Sequence, residues 1–270
     1  MMAEAVEAPF DRPDAGFNSL EGWTWVGCYG GYYLQADLLA DFEHGFFTRQ
    51  WQGRGPEVLA GYVSAGVSVH RPKQIHSALV LPASQASAEP WPEADGLVSD
   101  GGGQSLWVCG ADCTPVLLAD PFSGRVAACH AGWRGVAGRI LMAAIAQLEA
   151  AGSCRSDLLV ALGPAVSGAN YQVEASVTRQ VADSLEPERL SEAEGLAALE
   201  ACGAVRPDPA PGRDRLDIRA ATRLQLERAG VLADRIAVCP LCTVEEELLF
   251  HSWRRDQVKA VQWSGIVAQA

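Results

Sequence analysis

Ser105–His130, reading SLWVCGADCTPVLLADPFSGRVAACH, is the stretch that decides the fold. Its three apolar runs are of strand length. Turn signals punctuate them at Gly110, at Pro115 and at Asp120-Pro121-Phe122-Ser123-Gly124. The expected order is strand, tight turn, strand, hairpin, strand. Pro115 has no amide hydrogen to give to a neighbour, so it belongs at a strand start. AGWRG follows His130. A helical pattern then runs from Val136 to Ala150, with Ile140, Ala144, Ile145 and Leu148 on one face and Gly152 as its stop.

Towards the N-terminus lie an aromatic-rich run, Trp23–Tyr33, and β-like runs at Glu43–Thr48, Val63–Val69 and Ile75–Leu81, then a Pro- and Ser-rich loop, PASQASAEPWPEADG. Towards the C-terminus, 157–163 reads as a buried strand, 174–185 and 219–229 as helices, and 235–239 and 258–263 as short strands. Residues 186–215 mix helix formers with a loop, PDPAPGRDR, that resembles a linker. The chain beyond it is too short to form a core of its own. The expectation is an α+β fold: a single domain of mixed β-sheets packed together with flanking helices over residues 21–270, behind a loose polar arm at residues 1–20.

The composition suits such a core, with 49% hydrophobic and 20% charged residues in a chain of 270. Lys+Arg 21 against Asp+Glu 33 gives a net charge of −12, which repels polyanions, so neither nucleic acid nor an anionic membrane is an expected partner. An anionic substrate would need a few local arginines. The longest apolar stretches, such as Leu79–Pro82 and Val116–Ala119, fall far short of the ~20 residues of a membrane span. MMAEAVEAPFDRPD lacks the basic start and apolar core of a secretory signal, so a cytoplasmic location is expected. Eight cysteines are too sparse for a disulfide scaffold and are read as core packers, metal ligands or nucleophiles.

Five histidines are few enough to weigh singly. His130 ends a strand before the small pair Ala131-Gly132, Cys113 sits on the preceding turn, and His76 lies further upstream. Two imidazoles and a thiolate match a catalytic zinc site that leaves its fourth position open. Spacing alone does not establish this, because a lone His or Cys in apolar surroundings is usually packing.

GADCTPVLLADP, CHAGWRG, LGPAVSGANYQVE and the final pair Cys242-Thr243 with Phe250-His251-Ser252-Trp253-Arg254-Arg255 occur in one order over residues 43–260. Together they resemble the laccase-domain family, whose members are variously called YfiH-like proteins, polyphenol oxidases, purine nucleoside phosphorylases or peptidoglycan editing factors. The resemblance implies one zinc bound by His76 of Gln74-Ile75-His76, by Cys113 and by His130. It also implies phosphorolysis of adenosine, inosine and methylthioadenosine, with adenosine deamination at the same site; whether the chain acts as a monomer or homodimer is left open by the sequence. One departure stands out. After Phe46-Phe47-Thr48-Arg49 the family's Gly- and Ser-rich loop with an asparagine and a V-G-D run is replaced by QWQGRGPEVLAGYV, which implies an altered pocket wall.

Phosphate calls for planar, two-pronged donors. Arg134, Arg49, Arg254 and Arg255 are the candidates, and Asp112 beside Cys113 is the candidate general acid or base. Each has a plainer reading: Arg134 stacking on Trp133, Arg254-Arg255 as a solvated pair, and Asp112 capping its turn. Asp95-Gly96 reads as a turn, Cys109, Cys129, Cys239 and Cys242 as packing, and His44, His70 and His251 as non-ligands. A copper-dependent oxidase is the first alternative, but five scattered histidines do not supply a multicopper set. The zinc-deaminase signature H-x-E is also missing. The second alternative is a protein that binds or edits cell-wall precursors.

Overall fold

A computed structural model describes residues 20–28, 31–186 and 188–270. The expected arm at residues 1–20 lies outside these but for Leu20. The aromatic-rich run forms β1 (Trp23–Cys28) and β2 (Gly31–Ala36). They begin a six-stranded sheet continued by β3 (His44–Phe47), β15 (Gln262–Val267), β7 (Gln104–Gly110) and β4 (Ser68–His70). A second six-stranded sheet runs in the order β14 (Ile236–Val238), β10 (Leu159–Leu162), β8 (Thr114–Ala119), β9 (Val126–Ala131), β6 (Gly96–Val98), β5 (Val80–Pro82). Both sheets are mixed.

The deciding stretch folds as expected, and β8 shows why it reads as almost continuously apolar. Both faces of the strand are covered. Leu117 and Ala119 meet Leu34, Phe46, Leu106 and Ile266 of the first sheet. Val116 and Leu118 turn the other way, towards Ile140, Leu141 and Ile145 of α3 (Ile140–Ala150). Each such leucine, fully buried, contributes about 1.5–3 kcal/mol. The same helical layer holds α4 (Ala175–Asp183), α5 (Glu192–Ala201), α6 (Ile218–Arg228) and a small sheet of β11 (Gln172–Glu174), β13 (Arg213–Leu216) and β12 (Val205–Pro207).

Four local expectations are corrected. The helix expected over 136–150 is two, α2 (Trp133–Ala137) and α3, because Arg139 adopts a left-handed conformation (φ 61°) that turns the chain between them. The run 75–81 is a strand only from Val80, since the backbone amides of 75–77 bond to a carboxylate instead of a neighbouring strand. Residues 56–63 form α1 (Pro56–Val63), with Pro56 at its start, and the strand expected over 63–69 is confined to Ser68–His70. The last strand begins at Gln262, after a loop, rather than at 258. In the segment 186–215, α5 caps itself through a reciprocal pair, Ser191 and Glu194, and two strands follow.

Candidate functional site

The β8–β9 register places Pro115 opposite His130, so Cys113, just before β8, lies beside the end of β9. On β9 the side chains alternate. Val126 and Ala128 enter the space between the sheets, which gives His130 the same face. The β6–β9 register, with Gly96 opposite Cys129, sets Asp95 opposite His130, and their side chains meet as a cross-strand pair. His130 Nδ1 donates to Asp95 Oδ1 at 2.9 Å, and its amide donates to the Asp95 carbonyl at 2.7 Å. With Nδ1 committed to Asp95, Nε2 is the ring nitrogen left for Cys113 or for a metal.

His76 arrives on the loop between β4 and β5 in a left-handed conformation (φ 61°). Two side chains fasten that loop. Gln74 mimics a strand partner, accepting from the Cys109 amide at 2.8 Å and donating to the Cys109 carbonyl at 2.7 Å. Asp95 accepts from the amides of Ile75, His76 and Ser77 at 3.2, 2.9 and 2.6 Å and from Ser77 Oγ at 2.8 Å.

The outcome is a cluster of His76, Cys113 and His130 whose donor atoms all lie within 4.8 Å of one another, the one such metal-competent group among the described residues. Around a tetrahedral zinc, with bonds of about 2.0–2.3 Å, ligand atoms sit about 3.3–3.6 Å apart. The three atoms therefore need only a small contraction to share one ion. The two imidazoles stand nearly perpendicular, with centroids 4.9 Å apart. Gly132 makes the convergence possible: a Cβ there would lie 2.8 Å from Cys113 Sγ, inside any tolerable contact.

The charges fit a metal centre. Burial alone would push the Cys113 thiol up, but hydrogen bonds from His130 and His76 hold it down at about 6. Burial disfavours a charged His130, yet Asp95 and Cys113 raise it to about 9. Asp95 resists the same burial penalty through His130 and Ser77 and stays at about 2. The neighbouring thiols of Cys109 and Cys129 are pushed by burial up to about 12, which separates them from Cys113.

Above the cluster opens a cleft of about 630 Å³, within the range of small-molecule sites. Its inner wall is Gln74, His76, Cys109–Cys113, His130 and Gly132, and its outer wall is Trp253, Arg254 and Val258–Val261. The short helix α7 (Trp253–Asp256) starts the outer wall. Arg134 lines the cleft with its guanidinium 4.5 Å from the Trp133 ring centroid, and Arg254 lines it 5.0 Å from that of Tyr171. Lys259 is the third cation. None of the three has a carboxylate partner among the described residues.

Asp112, at φ 94°, lines the cleft, but both its oxygens are engaged: Oδ1 accepts from Thr243 Oγ1 and Oδ2 from the Arg254 amide, each at 2.6 Å. Two of the expected arginines are not among the lining residues. Arg49 Nη1 donates to the Glu247 carbonyl at 2.8 Å. Arg255 grips the carbonyls of Thr243, Val244 and Phe250 and pairs with Asp256, so it holds the loop that carries Arg254. No residue of the divergent segment 50–63 lines the cleft either. It packs over the outer face of the first sheet, with Trp51 and Leu59 against Phe47 and Trp107, so the implied alteration of the pocket wall does not arise there.

His44 and His70 bond backbone carbonyls through Nδ1. His251 is buried, its amide donating to Gln262, and is not among the residues lining the cleft; Cys242 Sγ accepts from the Ser167 amide at 3.3 Å. The residues that sequence reasoning passed over are Asp95, Gln74, Tyr171, Trp253 and Lys259. Gln74, as the Q of Q-x-H, and Tyr171 and Trp253, which lie inside the quoted LGPAVSGANYQVE and Phe250–Arg255 motifs, carried a visible signal; Asp95 and Lys259 did not.

A family model described as "Multi-copper polyphenol oxidoreductase laccase" matches residues 57–269. A Synechocystis protein named purine nucleoside phosphorylase is 41% identical over 256 residues, covering 91% of this chain and 97% of its own. The purine nucleoside phosphorylase YlmD of Geobacillus stearothermophilus is 37% identical over 175 residues, 64% of this chain and 59% of that relative. The crystal structure of YlmD from Geobacillus stearothermophilus superposes with a TM-score of 0.75 at 27% identity, covering 91% of this chain and 98% of that one.

Proposed function

The chain belongs to the multi-copper polyphenol oxidoreductase laccase family, and from that premise we propose that it is a zinc-dependent purine nucleoside phosphorylase that also deaminates adenosine. The observation that carries this reading is the cleft itself. It sets the His76–Cys113–His130 cluster beside Arg134, Arg254 and Lys259, three cations without carboxylate partners among the described residues, in a chain of net charge −12. Such a site calls for an anionic co-substrate, and phosphate meets that demand. The relatives' names supply the reaction class.

His76, Cys113 and His130 would hold the metal, which when bound supplies Lewis-acid polarisation with one coordination position facing the cleft. Arg254 and Arg134 offer forked donors to phosphate, each kept flat by the ring it lies over. Lys259 adds a point charge at the cleft's outer wall. Asp112 acts by placing Arg254: its carboxylate fixes the Arg254 amide and the Thr243 hydroxyl at the turn that presents Cys113. Trp253, half exposed on the cleft's outer wall, offers an aromatic surface to a purine, while the Tyr171 ring backs Arg254. Adenosine, inosine and methylthioadenosine are the proposed substrates, and the cytoplasm is the proposed location. Among the described residues no helix is long and apolar enough to cross a membrane.

Copper oxidase chemistry of the multinuclear kind would need several clustered sites, and the described residues form one. The test is direct. Purified protein incubated with adenosine and phosphate is expected to yield adenine and ribose 1-phosphate, with inosine from deamination. No product from any purine nucleoside would refute the proposal. Oxidation of phenols dependent on added copper would replace it with the laccase reading.

A further inference from the structure

We infer that Asp95 is the positioning residue of the cluster: it ties His76 and His130 to one carboxylate and so builds the site before any metal arrives. The inference rests on the reading of the cluster as a metal centre, and it concerns a residue to which no role in that centre follows from the comparisons.

Asp95 is fully buried. A carboxylate in that position must be completely hydrogen-bonded to be tolerated, and its side-chain partners belong to His130 and to the loop that carries His76. Oδ1 takes His130 Nδ1 and the His76 amide, both at 2.9 Å. Oδ2 takes the Ser77 amide at 2.6 Å, Ser77 Oγ at 2.8 Å and the Ile75 amide at 3.2 Å. A single oxygen therefore bonds both histidines, one through its ring and the other through its backbone.

Two consequences follow. With Nδ1 committed to Asp95, the remaining nitrogen of His130 is directed to the side where Cys113 and His76 converge. The loop amides of 75–77 are gathered on one anion, which holds His76 in a left-handed conformation that costs an L-residue about 1–3 kcal/mol when unsupported. Gln74 locks the same loop to β7 one residue earlier, so His76 is held from two directions. A cavity-filling or purely structural aspartate would not need to address the ring of one ligand and the backbone of another.

Zinc affinity of wild type and Asp95→Asn, measured by competition with a chromophoric chelator, tests the inference. Asparagine keeps the size but replaces one acceptor oxygen by an amide NH2 that faces other donors, and the expected loss is ~10–100-fold. A change of twofold or less would overturn the role. The second measurement needs no variant: amide hydrogen exchange of residues 75–77 in metal-free wild-type protein. Protection without metal is expected, whereas protection that appears only on zinc addition would overturn the inference even if Asp95→Asn fails to fold. A wild type that binds no zinc would instead defeat the metal reading, and the exchange result would still decide what Asp95 does to the loop.

Discussion

The inner wall of the cleft places Cys113 and His130 at the ends of β8 and β9, strands buried on both faces, whereas the outer wall, Trp253–Val261, is a short helix and loop with Trp253 51%, Val258 59% and Val261 42% exposed. The inner wall is set by strand register and packing. The outer wall hangs from a few polar ties: Asp112 to Thr243 and Arg254, and Arg255 to three carbonyls and Asp256. Groups that need sub-ångström placement stand on the rigid side, and groups that need only to bind and release stand on the tethered side. Damage should divide accordingly, into lost chemistry on one wall and weakened binding on the other.

Cys113→Ala is the strongest test of that division. It is expected to abolish metal binding and lower kcat/KM by ~10³-fold or more, about 4 kcal/mol of transition-state stabilisation. The thermal unfolding midpoint of the metal-free protein should move little, because the strands around it carry the core. Unchanged metal content by elemental analysis would break the assignment. On the outer wall, Arg254→Ala is expected to raise KM for phosphate ~10–100-fold, the effect of losing charge-assisted hydrogen bonds of about 1.5–3 kcal/mol. Metal content should be retained. A fall in metal content with no change in phosphate KM would erase the distinction between the walls.

Trp253→Ala removes an exposed ring face, and about 0.5–1.5 kcal/mol of stacking predicts a ~2–10-fold rise in nucleoside KM with phosphate KM unchanged. Steady-state kinetics with each substrate varied separately checks both values. Thr243→Val keeps the shape but removes the hydroxyl that Asp112 accepts. A loss of about 1 kcal/mol, ~5-fold in kcat/KM, is expected through a loosened Arg254. An effect as large as that of Cys113→Ala would mean that Asp112 takes part in the chemistry rather than in placement.

The same contrast explains what could be read from the chain. Ser105–His130 was legible because continuous apolar runs of strand length, punctuated by turn residues, write buried strands directly into sequence, and Cys113 and His130 came with them. His76 was visible through its motif while its setting was not: its run reads as a strand, yet the amides there serve Asp95, a residue 19 positions from His76 and 35 from His130. Asp95 itself looks like any Asp-Gly turn. Its role exists only once β6 lies against β9. Arg49 and Arg255 show the reverse error, since chemistry suited to phosphate is spent on backbone carbonyls. The break at Arg139 was signalled only by Gly138, the residue that ends α2, and was missed because the apolar positions on either side can be joined into one helical stripe.

Zinc-edge X-ray absorption of the purified protein tests the central claim most directly. One sulfur at about 2.3 Å and two imidazole nitrogens at about 2.0–2.1 Å, with a light fourth scatterer, is the predicted first shell. A shell without sulfur, or protein purified with copper in place of zinc, would contradict it.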